Sequence, residues 1–242
     1  MALRAYPQNY TEIWLHFGDI PGANSPMATV QLPEMSVIGP NAAPREYSFH
    51  GEFNSLHIAF RLGGEKPFLG YSPSEFDDAP IPIDDLLPGN RVQQLWDMTP
   101  YGPLAQVCAL ERFLAARFQP EQDIEARTRY GIDIIRQSWG RVNVAQLAET
   151  LNLSERQLLR SFKLETGLTP KKIMRLVRFN GALLHVNQSQ VPNFTHIAME
   201  HGYTDQSHFI REFTHFAGIT PTAFLKRRDT LGFLHDEWEH YR

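Results

Sequence analysis

Two stretches of this 242-residue chain repeat one another, and that duplication limits the fold more than any other feature. Arg160 recurs 51 positions on as Arg211, Phe162 as Phe213, Gly167 as Gly218, Thr169 as Thr220 and Pro170 as Pro221. Leu158/Phe209 and Leu168/Ile219 match in character. Upstream the offset falls to 50, where Leu147 and Ala148 align with Ile197 and Ala198, so the second copy carries one extra residue in its turn. Turns absorb an insertion that helices cannot, which predicts that the doubled unit is a helix-turn-helix.

The local signals agree. Val144, Leu147, Ala148 and Leu151 fall at i, i+3, i+4 and i+7 and make one apolar helix face. Asn152-Leu153 breaks it, Ser154 with Gln157 starts a second helix as a capping box, and Gly167 ends that helix. In the second copy Ile197-Ala198 leads to the turn at Gly202-Tyr203, Asp205 is the expected N-cap, and Phe209, Phe213 and Phe216 run down to Gly218. Thr169-Pro170 then opens a long helix to about His185 that connects the units, and Thr220-Pro221 opens a short closing one.

Charge separates this region from a bundle that merely has internal symmetry. Residues 127–229 hold 15 Lys/Arg against 8 Asp/Glu, a net of +7, whereas residues 1–126 hold 7 against 16, a net of −9. The tail 230–242 adds −2, giving the chain's −4. The bland total therefore hides an acidic part and a basic part, and the basic part contains the repeat, as expected of a polyanion binder.

LNLSERQLLRSFKLETGLTPKKIMRLVRFNGALL followed by IAMEHGYTDQSHFIREFTHFAGITPTAFLK resembles the DNA-binding domain of the AraC/XylS transcriptional regulators over about 100 residues, 127 to 228. The resemblance rests on the Ser-x-x-x-Leu-x-Arg-x-Phe signature, on Arg178 and Ala182 of the connecting helix, and on the Gly-Tyr, Ser-x-Phe-x-Arg-x-Phe and Gly-Ile-Thr-Pro block. It implies a bihelical body whose two recognition helices enter successive major grooves on one face of double-stranded DNA. The implied contacts are Arg156, Leu159 and Arg160 in the first recognition helix, where Lys163 is a further exposed candidate, and Gln206, Ser207, Ile210 and Arg211 in the second. Arg156 and Arg160, four apart, share a face that can reach guanine edges or phosphates. Whether Arg160 and Arg211 read bases, hold phosphates or pair within the domain stays open at this point. His208 departs from the aromatic or aliphatic residue usual at its position.

The first 118 residues read as a mixed, β-rich regulatory unit. Strands are predicted over residues 11–19, 35–39, 45–50 and 54–61, which are aromatic and β-branched and are divided by Gly, Pro and Asn. A short helix is expected after Ser72-Pro73, an irregular acidic stretch over 80–88, a helix over 91–97, and an amphipathic helix over 103–118 with Leu104, Val107, Cys108, Leu110, Leu114 and Phe118. SVIGPNAAPREY and FRLGGEKPFLGYSPSEFDDAPIPIDDL resemble the sensor-like N-terminal domain of a subset of the same family. Only ten residues precede 11–19, where those relatives carry a further segment, so closure into a barrel stays open.

Other chemistry finds few residues here. There is no His-x-His pair of the cupin type, and His50 and His57 are expected on opposite faces or different strands, His196 and His201 at the surface or in packing. No Gly-x-Ser-x-Gly, phosphate loop or paired Cys motif occurs, so no catalytic residue, metal or cofactor is predicted, and no ligand-binding residue can be named. Cys108, the single cysteine, is expected to pack as a small hydrophobe. No apolar run approaches a membrane span, and the family's setting is the bacterial cytoplasm.

The sequence thus predicts a multidomain α+β protein: a regulatory domain over 1–118, a linker over 119–126, an all-α double helix-turn-helix domain over 127–229 and a tail over 230–242. The function expected is sequence-specific transcriptional regulation. RNA polymerase is the further partner that the resemblance implies, with a small-molecule effector or a homodimer contact acting through the N-terminal domain. A nonspecific architectural DNA binder with a ligand-binding or interaction module is the alternative. Mixed Arg, Gln and Ser on the reading helices favour specific readout, where a Lys-rich face would favour the alternative.

Overall fold

The computed structural model describes residues 2–24, 29–40, 43–52, 54–71, 79–87, 97 and 101–227. The β-rich part comes first. Strands β1 (Ala2–Ala5), β6 (Arg45–Ser48), β3 (Gly22–Asn24) and β4 (Thr29–Gln31) form one antiparallel sheet in that spatial order. Strands β7 (Ser55–Phe60), β2 (Thr11–His16), β5 (Met35–Ile38) and β8 (Ile81–Pro82) form the other. Among the described residues these are two four-stranded sheets and not one closed barrel.

Alternation along β2 assigns its two faces. Ile13 and Leu15 are buried with Met35, Val37 and Phe60, and with Leu69, Ile83 and Leu86 of two short helices, α1 (Lys66–Leu69) and α2 (Ile83–Leu86). Trp14 points the other way, into a second cluster with Ile38 and with Ala5 and Tyr47 of the facing sheet. Each of the six residues of β2 is buried because both of its faces are covered.

The four predicted strands are present as β2, β5, β6 and β7. The others escaped because two to four residues carry no readable period. Residues 80–88 are not irregular throughout: Ile81 and Pro82 pair with Val37 and Ser36, and α2 follows, its Ile83 and Leu86 drawn into the core despite the flanking acids. Proline is tolerated there because β8 is an edge strand. Helix α3 (Pro103–Arg117) lies where expected, but of its predicted apolar face only Leu110 is buried, and Leu104 is 77% exposed. Cys108 is exposed, which corrects its expected packing role. The expected helix after Ser72-Pro73, that over 91–97 apart from Asp97, and the tail lie outside the described residues.

A 3-10 turn over Pro120–Gln122 leads into seven helices, α4 (Ala126–Gln137), α5 (Val144–Thr150), α6 (Glu155–Thr166), α7 (Pro170–Gln188), α8 (Phe194–Glu200), α9 (Gln206–Ala217) and α10 (Pro221–Arg227). No described helix is long and apolar enough to cross a membrane. The α5–α6 and α8–α9 pairs start 50 and 51 residues apart. Their turns differ by the single residue that the offsets demanded, Leu151 to Ser154 against His201 to Asp205. Leu147, Leu158 and Phe162 of the first copy and Ile197, Phe209 and Phe213 of the second are fully buried around Phe179 and Leu176 of α7.

Candidate nucleic-acid interface

Helices α6 and α9, the two expected to read DNA, are each set by their caps. Ser154 accepts the Gln157 backbone N–H while the Gln157 side chain accepts that of Ser154, a reciprocal capping box that fixes the start of α6. Asp205 does the same for α9 by accepting the His208 N–H at 2.7 Å. That hydrogen bond, working against desolvation, holds its carboxyl below the usual range. Gly167 and Gly218 end the helices at φ of 70° and 69°. Both interhelical turns need one left-handed residue, Asn152 (φ 57°) in the first and Gly202 (φ 73°) in the second.

The surfaces that result are alike. On α6 the predicted contacts Arg156, Leu159, Arg160 and Lys163 are all exposed, with Leu158 and Phe162 beneath them. On α9 Gln206, Ser207 and Arg211 are exposed, while Ile210 is half-buried against the helical core. Arg156, Arg160 and Arg211 make no ion pair within 4.0 Å among the described residues, which leaves their guanidinium groups facing solvent. Lys163 is engaged otherwise: its Nζ donates to the Gly167 carbonyl at 2.7 Å, closing the C-terminus of its own helix. Gln206 is steadied by Thr195 Oγ1, 2.8 Å from its Oε1.

Arg175 and Glu212, which the sequence reading passed over, fix the second unit together with Arg178, Tyr203 and His208. Arg175 of α7 grips Glu212 of α9 through two hydrogen bonds, 2.8 and 2.9 Å, and lies 4.9 Å from the Phe216 ring centre. Burial would raise the Glu212 carboxyl, but the Arg175 contacts outweigh it and hold it below the usual range. Arg178 lies over Tyr203 at 5.8 Å. His208 binds Thr204 Oγ1 at 3.0 Å and meets the Tyr203 ring edge-on, so it ties down the turn. For the Arg175–Glu212 pair the sequence signal was no more than an Arg and a Glu 37 residues apart.

The β-rich part touches this unit directly. Tyr6 packs edge-to-face on Phe224 of α10 at 5.6 Å, and burial pushes its hydroxyl up to about 12. A side chain at Gly218, the cap of α9, would collide with the Arg4 guanidinium. Between the parts lies a cavity of about 520 Å³ lined by Tyr10, Arg61 and Leu62 on one side and Arg136, Trp139 and Asn180 on the other. Asn180 is buried, and neither atom of its amide has a hydrogen-bond partner among the described residues.

Other predicted histidines are placed as follows. His57 of β7 stacks on Trp14 at 4.3 Å, and His50 follows β6 in the other sheet. His196 is exposed. His201 is buried beside His185.

Residues 147–227 match the family model described as a helix-turn-helix domain. A Haemophilus influenzae protein, "Uncharacterized HTH-type transcriptional regulator", is 30% identical over 95 residues, 39% of this chain and 32% of that protein. The "HTH-type transcriptional activator RhaS" of Escherichia fergusonii is 36% identical over 86 residues, 34% of this chain and 30% of its own. The alignments thus span about a third of the length of these curated relatives. Among solved structures, ToxT from Vibrio cholerae superposes over 93% of this chain and 97% of its own with a TM-score of 0.52 at 11% identity, a likeness of fold across both parts. The β-rich region followed by a helical C-terminal domain is therefore a shared two-domain architecture. Over residues 147–227 the chain carries an AraC-type helix-turn-helix domain, similar to that of these transcriptional regulators.

Proposed function

We propose that the protein is a sequence-specific transcriptional regulator that reads two successive major grooves with α6 and α9. The observation that carries this reading is the duplication itself. Two capped helices with buried Leu158/Phe209 and Phe162/Phe213 present Arg160 and Arg211 at equivalent exposed positions, and a single 19-residue helix, α7, joins the two units. Arg156, Leu159 and Arg160 read on one side, Gln206, Ser207 and Arg211 on the other, with Lys163 and Ile210 as supporting contacts. The +7 charge of residues 127–229 supplies the phosphate attraction.

The N-terminal part modulates this activity, through an effector or through self-association. Its support is the seating of Arg4 and Tyr6 against the end of α9 and against α10, and the cavity shared by both parts. Selection of binding sites from random duplex DNA with the full-length protein tests the reading. A single enriched motif with two half-sites about 10 base pairs apart is expected. Uniform enrichment would favour the architectural alternative.

A further inference from the structure

Four polar residues stand on the second helix-turn-helix and the helix that leads into it, where the first unit and its preceding helix carry no His or Glu at the equivalent positions. At an offset of 50, Ile135, Gln146, Thr150 and Leu151 of the first copy become His185, His196, Glu200 and His201. The equivalence is structural as well as numerical. A Cβ at Gly131 would meet Leu151, and a Cβ at Gly181 would meet the His201 ring, so the two residues occupy matching seats. Ile135 and Leu151 are buried, 0% and 4% exposed, and contribute ordinary apolar packing. His201, 7% exposed and in edge-on contact with Trp139, replaces that packing with an imidazole whose desolvation carries a cost.

The replacements converge on one point. His185 Nδ1 lies 3.4 Å from Glu200 Oε2 and 3.4 Å from His201 Nε2, and one ligand atom from each residue falls within 4.8 Å of the other two. Metal–ligand bonds of about 2.0–2.1 Å at tetrahedral angles separate neighbouring ligand atoms by roughly 3.4 Å, the spacing of His185 Nδ1 to each of its two neighbours here, with the third pair inside 4.8 Å. A proton does less well: His185 Nδ1 can carry one, and so can donate to either neighbour but not to both. His196 sits one helical turn before Glu200 with its Nδ1 3.5 Å from Glu200 Oε2, and its side chain is exposed, so it can turn in as a fourth ligand.

We propose that His185, Glu200 and His201, with His196 or water completing the shell, bind a divalent cation of the zinc class. Imidazole and carboxylate ligands at this spacing suit Zn²⁺ and its tetrahedral surrogate Co²⁺, and they select against Mg²⁺ and Ca²⁺, which want six or more oxygens. The ion staples the last turns of α7 to the end of α8, and so fixes the second helix-turn-helix on the connecting helix. Any consequence for DNA binding rests on the reading above; the ion binding does not.

Full-length protein stripped with a chelator and titrated with Co²⁺ provides the test. The expected result is one ion per chain with near-tetrahedral visible absorption, displaced by Zn²⁺, and a melting temperature raised by Zn²⁺. Glu200→Thr, at an exposed position, removes a direct ligand and should weaken binding by at least the roughly 10- to 100-fold that loss of an outer-shell partner costs. The double variant His185→Ile/His201→Leu restores the residues of the first copy and should abolish binding. Without metal, it should melt no lower than the wild type. Absence of stoichiometric binding by the wild type would overturn the proposal, as would a site that survives unchanged in Glu200→Thr. Should the double variant fail to fold, Glu200→Thr decides alone.

Discussion

At the scale of single residues, the exposed arginines carry the sharpest expectation. Arg160→Ala and Arg211→Ala should each cost ~1–3 kcal/mol of binding to a selected site and relax preference at one base pair if the contact is to a guanine, or lower affinity uniformly if it is to phosphate. Fluorescence anisotropy on single-base variants of the site separates these outcomes, and undiminished affinity in both variants would contradict the assigned faces. Arg175 acts differently, through stability. Arg175→Ala leaves the half-buried Glu212 carboxylate without its two hydrogen bonds and should destabilise the fold by about 2 kcal/mol, measured by urea unfolding. The exposed residues were legible because the repeat marks which positions share a face. The Arg175–Glu212 grip was not, because a contact across 37 residues leaves no periodic trace.

Glu65 makes a second residue-scale case. It is fully buried, and burial pushes its carboxyl up to about 8. A folded-state value above the unfolded one means that its stabilisation is complete below about 4.5 and is lost as pH rises towards 8. Buried His16 and half-buried His57, pushed down to about 4 by desolvation, act in the opposite sense and lose their contribution as pH falls from about 6.5. Between pH 6.5 and 8 the Glu65 effect therefore stands clear of both. Glu65→Gln should flatten the decline in melting temperature across that window, and an unchanged decline would show that Glu65 is not its source.

At the scale of elements, caps and turns explain both what could be read and what could not. Ser154, Asp205, Gly167 and Gly218 announced the helix ends because each satisfies backbone groups that the helix leaves unpaired. The short strands β3, β4 and β8 and the four-residue α2 are held by their neighbours and have too few residues to show a pattern. Helix α3 was read as amphipathic, yet its described surroundings bury little beyond Leu110 and Gln106. Two substitutions test the turn geometry. Ser154→Ala should cost about 1 kcal/mol through loss of the box. Gly202→Ala, at φ 73° with Arg141 against the added methyl, should cost at least about 1–2 kcal/mol. Thermal unfolding measures both, and a neutral Gly202→Ala would mean that the turn relaxes.

At the scale of the whole molecule, the division of charge and the packing of the two parts carry the functional reading. An acidic part at −9 lies beside a basic part at +7, with Arg4 of β1 at the Gly218 cap of α9 and Tyr6 on Phe224 of α10. The charge asymmetry was visible in the sequence. The seating of Tyr6 on Phe224 was not, since surface complementarity between distant segments has no local signature. The central claim is that two recognition helices engage one face of the duplex together. Hydroxyl-radical footprinting of the full-length protein on its selected site tests this most directly. Two protected windows are expected on the same face, about one helical turn apart, with the α6 window lost in Arg160→Ala and the α9 window lost in Arg211→Ala. A single window, or protection that both variants leave unchanged, would contradict the claim.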